Sequence, residues 1–326
     1  MGSAGYQNDA IGGQYDVVTS PRQPGSSFKP YTYTAALKDH KIALCTNLQD
    51  QPTNFNGYQP VDFDNRFLGT MSARKALLLS RNVPAVQVAK QEGIDHVIAL
   101  ASQMGIRSPL DASLPTAIGS SEITMFDQVQ GYQVFANQGA KMPLLGITRV
   151  VGASGKTVYE QKPGSQDGRR QVVSAAEAYL VTDTLKDYAR QWNLGWGRPM
   201  AGKSGTSGGS QVGVHPDSWM LAYSPDIVVG AWAGNTGANG GGQSTSAFGT
   251  DVGSTISNQF VNNLPRDYGR WYSQPSGIAK TRSGEIALVG TENMCGGAAA
   301  GGSEKNKKKQ PAPTPTPTNG GGDDGD

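Results

Sequence analysis

Glycine is spread through most of this chain but vanishes between Phe28 and Leu37, where Tyr31, Tyr33, Ala35, Ala36 and Leu37 build an apolar side at helical spacing. Pro30 falls in the first turn of that helix, where the missing N–H would have had no partner. Residues 41–70 carry Pro52, Asn54, Asn56, Gly57, Pro60, Asp62, Asp64, Asn65 and Gly69, and predict irregular chain. Helices are predicted over 71–79 with Ser72 as N-cap, over 85–91 after Pro84, over 94–104, and singly or as a pair over 117–138, ending at Asn137-Gln-Gly139. Alternation from Ile147 to Tyr159 around Ser154-Gly155 predicts a hairpin. A helix follows over 173–188, where Ser174 and Glu177 form a capping box. An approach loop over 190–200 leads to three strand-like segments, about 200–207, 217–224 and 227–234, and a closing helix near 255–263. Beyond Pro265 only Trp271, Tyr272 and a short strand at 285–290 suggest packing. Helices, an antiparallel meander and a closing helix make an α+β pattern, not a βαβ one.

Composition narrows the field. At 326 residues the chain can bury a sizeable core. A net charge of +2 gives no reason to expect nucleic acid as a partner. There is no run of 18 apolar residues and no basic-then-apolar start. Cys45 and Cys295 lie 250 residues apart, and two free thiols are the default expectation. The histidines, His40, His96 and His215, are scattered without zinc spacing, so neither metal nor cofactor is expected. From Gly296 the chain is Gly/Ala, then Lys-rich, then Pro/Thr-rich, and 296–326 is expected to be a disordered tail.

The chemistry centres on Pro24-Gly25-Ser26-Ser27-Phe28-Lys29-Pro30. Ser26 stands at a helix N-terminus and Lys29 one turn on, a nucleophile with an amine beside it. Ser-x-x-Lys is short and recurs at Ser72-Ala73-Arg74-Lys75, where a cap and a solvated lysine are the better account. Two further patterns single out the first copy: Ser80-Arg81-Asn82, a Ser-x-Asn before Pro84, and Lys203-Ser204-Gly205-Thr206. In this order the three form the signature of serine acyltransferases of the β-lactamase and penicillin-binding type.

With Pro21-Arg-Gln-Pro-Gly-Ser-Ser-Phe-Lys-Pro30, Ser80-Arg-Asn-Val-Pro-Ala-Val86, Ile118-Gly-Ser-Ser-Glu-Ile-Thr124, Tyr132-Gln-Val-Phe-Ala-Asn-Gln-Gly139, Asp217-Ser-Trp-Met-Leu-Ala-Tyr-Ser-Pro-Asp226 and Val229-Gly-Ala-Trp-Ala-Gly-Asn235, the chain resembles the transpeptidase domain of a penicillin-binding protein, most closely the class A type, over residues 1–265. The resemblance implies an antiparallel sheet flanked by helices, with a helical subdomain, followed by a C-terminal extension over 266–295. It implies a D-Ala-D-Ala transpeptidase that cross-links peptidoglycan stem peptides, binds β-lactams and works at the outer face of a bacterial plasma membrane. In the family two strands precede the nucleophile helix; this chain opens on what resembles the loop after them, so those strands and any membrane link are expected upstream.

By the same resemblance Ser26 is the nucleophile, Lys29 its base and Ser80 a proton relay. Asn82, Lys203, Ser204, Gly205 and Thr206 bind substrate, with Gly205 letting its backbone approach. The N–H groups of Ser26 and Thr206 form the oxyanion hole. Arg81 holds the middle position of Ser-x-Asn, which varies in the family, and so puts little of the resemblance in doubt. The alternatives are a serine β-lactamase or D,D-carboxypeptidase, a penicillin sensor, or an inactive fragment. Glu122 is the one candidate for a deacylating acid and reads rather as structural. Gly205-Thr206-Ser207-Gly208-Gly209 mimics a hydrolase nucleophile elbow but lacks the helix that elbow needs. Gly155-Lys156-Thr157 lacks the glycine a phosphate loop requires and reads as a hairpin turn.

Overall fold

The computed structural model describes residues 5–162, 168–208, 215–235 and 245–295. The tail over 296–326, expected to be disordered, lies outside them.

A 3₁₀ turn, Gly25–Phe28, runs directly into helix α1 (Lys29–Lys38). Strands β1 (Asn47–Asp50) and β2 (Gly69–Ser72) pair antiparallel, then α2 (Ala73–Leu78), α3 (Asn82–Glu92) and α4 (Ile94–Met104) follow. After a 3₁₀ turn at Leu114–Ile118 comes α5 (Met125–Ala136). Strand β3 (Ala140–Lys141) pairs with β6 (Arg170–Gln171), and β4 (Arg149–Val151) with β5 (Thr157–Glu160) makes the predicted hairpin. Helix α6 (Ala175–Leu185) has both halves of the Ser174–Glu177 capping box. The short α7 (Tyr188–Gln191) leads to strands β7 (Ala201–Thr206), β8 (Asp217–Tyr223) and β9 (Val228–Gly234). Helix α8 (Gly249–Val252), a π-helical turn at Gly253–Ser257 and α9 (Asn258–Asn262) close the main body. A last pair, β10 (Ile278–Lys280) with β11 (Ile286–Leu288), completes the described chain.

Among the described residues the main sheet is antiparallel, in the order β7-β8-β9. Every residue of β8 is buried, as a central strand requires; α5 and α6 pack against the sheet, as does α8. One core joins helices and sheet: Tyr31, Tyr132, Phe135 and Tyr223 form a cluster of aromatic rings with centroids 5.7–6.0 Å apart. Tyr272 and Leu288 of the 266–295 segment join it.

Two expectations need correction. The 41–70 stretch contains the β1–β2 pair, which composition hid because its strands are four residues each amid turn formers. The cysteines are not free: Cys45 and Cys295 are disulfide-bonded, with Cα atoms 5.2 Å apart. The C-terminal segment folds back onto the core and closes a gap of 250 residues, a proximity sequence spacing cannot show.

Candidate active site

Three segments converge on one cleft of about 520 Å³, lined by Ser26, Ser80, Asn82, Ser204 and Thr206 among others. The Ser26 turn is pinned from beneath by α5. Gln128 Nε2 donates to Ser27 O at 3.0 Å and Ser27 Oγ at 2.8 Å, and Tyr132 Oη donates to Ser27 O at 2.7 Å. From the side the turn is pinned by β7. Gly25, at φ +53, has the Thr206 backbone where a Cβ would stand, the carbonyl oxygen at 2.4 Å and the amide nitrogen at 2.8 Å. Gly205 would place a Cβ 1.9 Å from Pro24 O. Its glycine character therefore serves contact with the nucleophile turn, and Gly205 does not line the cleft as expected.

Ser80 stands where a helix C-terminus normally carries glycine. Its φ is +59, its N–H donates to Leu77 O at 3.1 Å, and Arg81 N–H donates to Ala76 O at 3.0 Å. That is the paired closure of a Schellman motif after α2. A serine there costs backbone energy that glycine would not. Such strain persists where its side chain is needed.

Both motif lysines are fully buried. Lys29 Nζ donates to Ser80 O at 2.5 Å and Asn82 Oδ1 at 2.7 Å, and lies 3.5 Å from Ser80 Oγ. Lys203 Nζ donates to Ser80 Oγ at 2.7 Å, Tyr188 Oη at 3.2 Å and Ser204 O at 3.0 Å. Ser80 thus stands between two amines. Burial lowers Lys29 to about 7, with Arg81 adding to the fall while Asp62 and Asp50 oppose it. Burial also drives Lys203 well below the ordinary lysine value, helped by Lys29. Lys203 was expected at the substrate, but it lies behind the cleft and spends its donors on Ser80, Tyr188 and its own strand.

Tyr188, at the start of α7, escaped the sequence reading. Its hydroxyl lies 2.6 Å from Ser204 Oγ, and Lys203 Nζ sits 4.9 Å from its ring centre. No motif surrounds it; only folding brings α7 to β7. Thr250, also lining the cleft, was equally silent.

The decoys resolve by geometry. Ser72 Oγ accepts the Lys75 N–H at 3.2 Å, and Lys75 is exposed. Ser207 is buried, accepting the Asp217 N–H at 2.9 Å, and follows a strand without entering a helix; Gly209 lies outside the described residues. Glu122 is exposed and absent from the cleft lining. Asp62 is the cleft's only carboxylate among the described residues.

The family model for the penicillin binding protein transpeptidase domain matches residues 5–252. Penicillin-binding protein 1A of Neisseria cinerea is 29% identical over 227 residues, 65% of this chain and 28% of the relative. Penicillin-binding protein 1F of Bacillus subtilis (strain 168) is 28% identical over 238 residues, 69% of this chain and 33% of that protein. The chain thus spans a third or less of the length of these curated relatives. The solved structure of the PonA1 protein from Mycobacterium tuberculosis in complex with penicillin V superposes with a TM-score of 0.72 at 22% identity, covering 84% of this chain and 76% of that one.

Proposed function

The chain belongs to the penicillin-binding protein transpeptidase domain family, and we propose from that premise that it is a D-Ala-D-Ala transpeptidase working through an acyl-enzyme on Ser26. The substrate is a peptidoglycan stem peptide, and β-lactams occupy the same cleft as acylating mimics. The observation that carries this is the pair of buried lysines meeting at Ser80 beside the Ser26 turn.

A serine hydroxyl needs a base to attack an amide carbonyl. Lys29, brought near neutrality by burial, is that base. As a neutral amine it has two N–H groups, and Ser80 O and Asn82 Oδ1 take both. The lone pair is left for the Ser26 proton. Ser80 Oγ accepts from Lys203 and so keeps its own proton to pass to the leaving D-Ala amine, and Lys29 then returns the proton taken from Ser26 to Ser80. Lys203 accordingly acts through Ser80, whereas the Ser204, Thr206 and Thr250 hydroxyls are the groups that meet the substrate carboxylate in the cleft. The closeness of the Thr206 amide to Gly25 supports an oxyanion hole made of the Ser26 and Thr206 N–H groups, on the order of 3 kcal/mol per donor. Asn82 offers its side chain to the substrate amide.

The cleft's carboxylate, Asp62, accepts the Asn82 backbone N–H and pairs with Arg81. The disulfide supports an oxidising compartment, in keeping with the outer face of a bacterial plasma membrane. No helix among the described residues is long and apolar enough to cross a membrane.

The test is labelling with a fluorescent penicillin, read by intact mass. One adduct per chain is expected, persisting for many minutes and absent from Ser26→Ala. A short-lived adduct would turn the reading to a β-lactamase, and no adduct on folded protein would overturn it.

A further inference from the structure

Arg81 is among the largest fully buried side chains of the molecule, 1% exposed. Its guanidinium reaches back to the wall of the cleft between β1 and β2. Nε donates to Asp50 Oδ2 at 2.8 Å and Nη1 to both oxygens of Asp64 at 3.1 Å. Nη2 donates to the Arg66 carbonyl and lies 3.3 Å from Asp62 Oδ2. One cation therefore gathers three carboxylates. Asp50 and Asp62 are both buried, and Asp50 Oδ1 and Asp62 Oδ2 make no hydrogen bond within the protein. The other oxygen of Asp62 accepts the Asn82 N–H at 2.5 Å. Asn82 Nδ2 donates to Val61 O at 2.7 Å, which turns Oδ1 toward Lys29.

A buried ion cluster is poor value as a stabiliser, because desolvation consumes most of its Coulomb energy. This one sits directly beneath the Ser80–Asn82 turn. We infer that Arg81 and Asp62 are positioning residues for acyl transfer: Arg81 ties the 62–66 wall to the turn, and Asp62 holds Asn82 and presents its charge to Lys29. The inference rests on the acyl-enzyme reading and gives Arg81 a role that the sequence reading did not assign.

The charged groups facing Lys29 are Asp62, Asp50, Arg81 and Lys203. Tyr33 of α1 feels the same two aspartates but stays neutral, its value pushed up by burial. Burial and Asp50 raise Asp62 to about 7, so Asp62 and Lys29 titrate over the same range. The Asp62 charge favours the protonated form of Lys29. Without it Lys29 surrenders its proton more readily.

The experiment is the pH profile of penicillin acylation for the native chain, Asp62→Asn and Asp64→Asn, with adduct stoichiometry recorded. The Asp62→Asn amide still offers an oxygen to Asn82 and an N–H to Asp50. Acylation needs neutral Lys29, so its rate falls as pH drops. The expected result for Asp62→Asn is one adduct per chain with that limb moved to lower pH by about one unit. Asp64→Asn, which loses only an outer contact of Arg81, keeps the native limb. A limb that stays put or moves upward in Asp62→Asn overturns the inference, since a purely structural loss would lower the labelled fraction without moving it. Arg81→Lys is the second variant should Asp62→Asn fail to fold. It is expected to slow acylation about tenfold while each folded chain still takes one adduct; an unchanged rate overturns the inference. A native chain that takes up no penicillin overturns the underlying reading, and this one with it.

Discussion

Ser80 shows most clearly how one residue can be placed against its own conformational preference. The Schellman closure after α2 favours glycine, and a serine occupies it at φ +59. Its hydroxyl is what the site uses, between Lys203 at 2.7 Å and Lys29 at 3.5 Å. Stability and activity therefore separate at this position. Ser80→Gly is expected to leave thermal stability unchanged or raise it by up to about 1 kcal/mol, through relief of the left-handed backbone. The same variant is expected to acylate about 10²–10⁴-fold more slowly. A melt and a labelling time course on one preparation check both halves. The lysines follow the same logic: a fully buried amine cannot afford full protonation, so the burial that built the core also prepared the base.

At the scale of elements, identical motifs meet different fates because of what surrounds them. Ser26-x-x-Lys29 and Ser72-x-x-Lys75 both stand where a helix begins. The first lies in a 3₁₀ turn clamped between α5 and β7, with its lysine turned inward. The second follows a short edge strand, with its serine capping α2 and its lysine in solvent. Ser72→Ala is expected to cost about 1 kcal/mol, the worth of an N-cap, while leaving penicillin labelling intact. Chemical denaturation paired with labelling tests this, and a lost adduct in a folded Ser72→Ala would contradict the assignment. Capping signals were readable in sequence because they are local: Ser174 with Glu177 predicted α6, and Ser72 predicted the start of α2. The β1–β2 pair was not, because each strand is held by its partner across some twenty residues and not by its own composition.

On the scale of the molecule, one bridge joins distant parts of the described chain. Cys45 lies just after α1, and Cys295 ends the described chain. Joining them constrains the unfolded chain over 250 residues and holds the β10–β11 segment against α6. Cys295→Ser is expected to lower stability by roughly 2–4 kcal/mol. Denaturant curves with and without reductant measure it: reductant should bring the native chain to the Cys295→Ser midpoint and leave that variant where it was. Coincident curves for both chains without reductant would show that the bridge contributes nothing.

The sequence by itself determined most of the helices, the three-stranded meander and the three motifs whose segments the fold brings together. Those features are written in short range: periodicity, caps, and three motifs whose residue types suit one chemistry. Only the tertiary structure decided how those residues divide their work. It moved Lys203 behind the cleft to face Ser80 and turned Gly205 toward Pro24. It also brought Tyr188 to Ser204, buried Arg81 among three aspartates and joined Cys45 to Cys295. Each of these is a contact between residues far apart in the chain or an effect of burial. A linear pattern specifies which groups are present, but distance and desolvation, which set charge and reactivity, exist only once the core has closed.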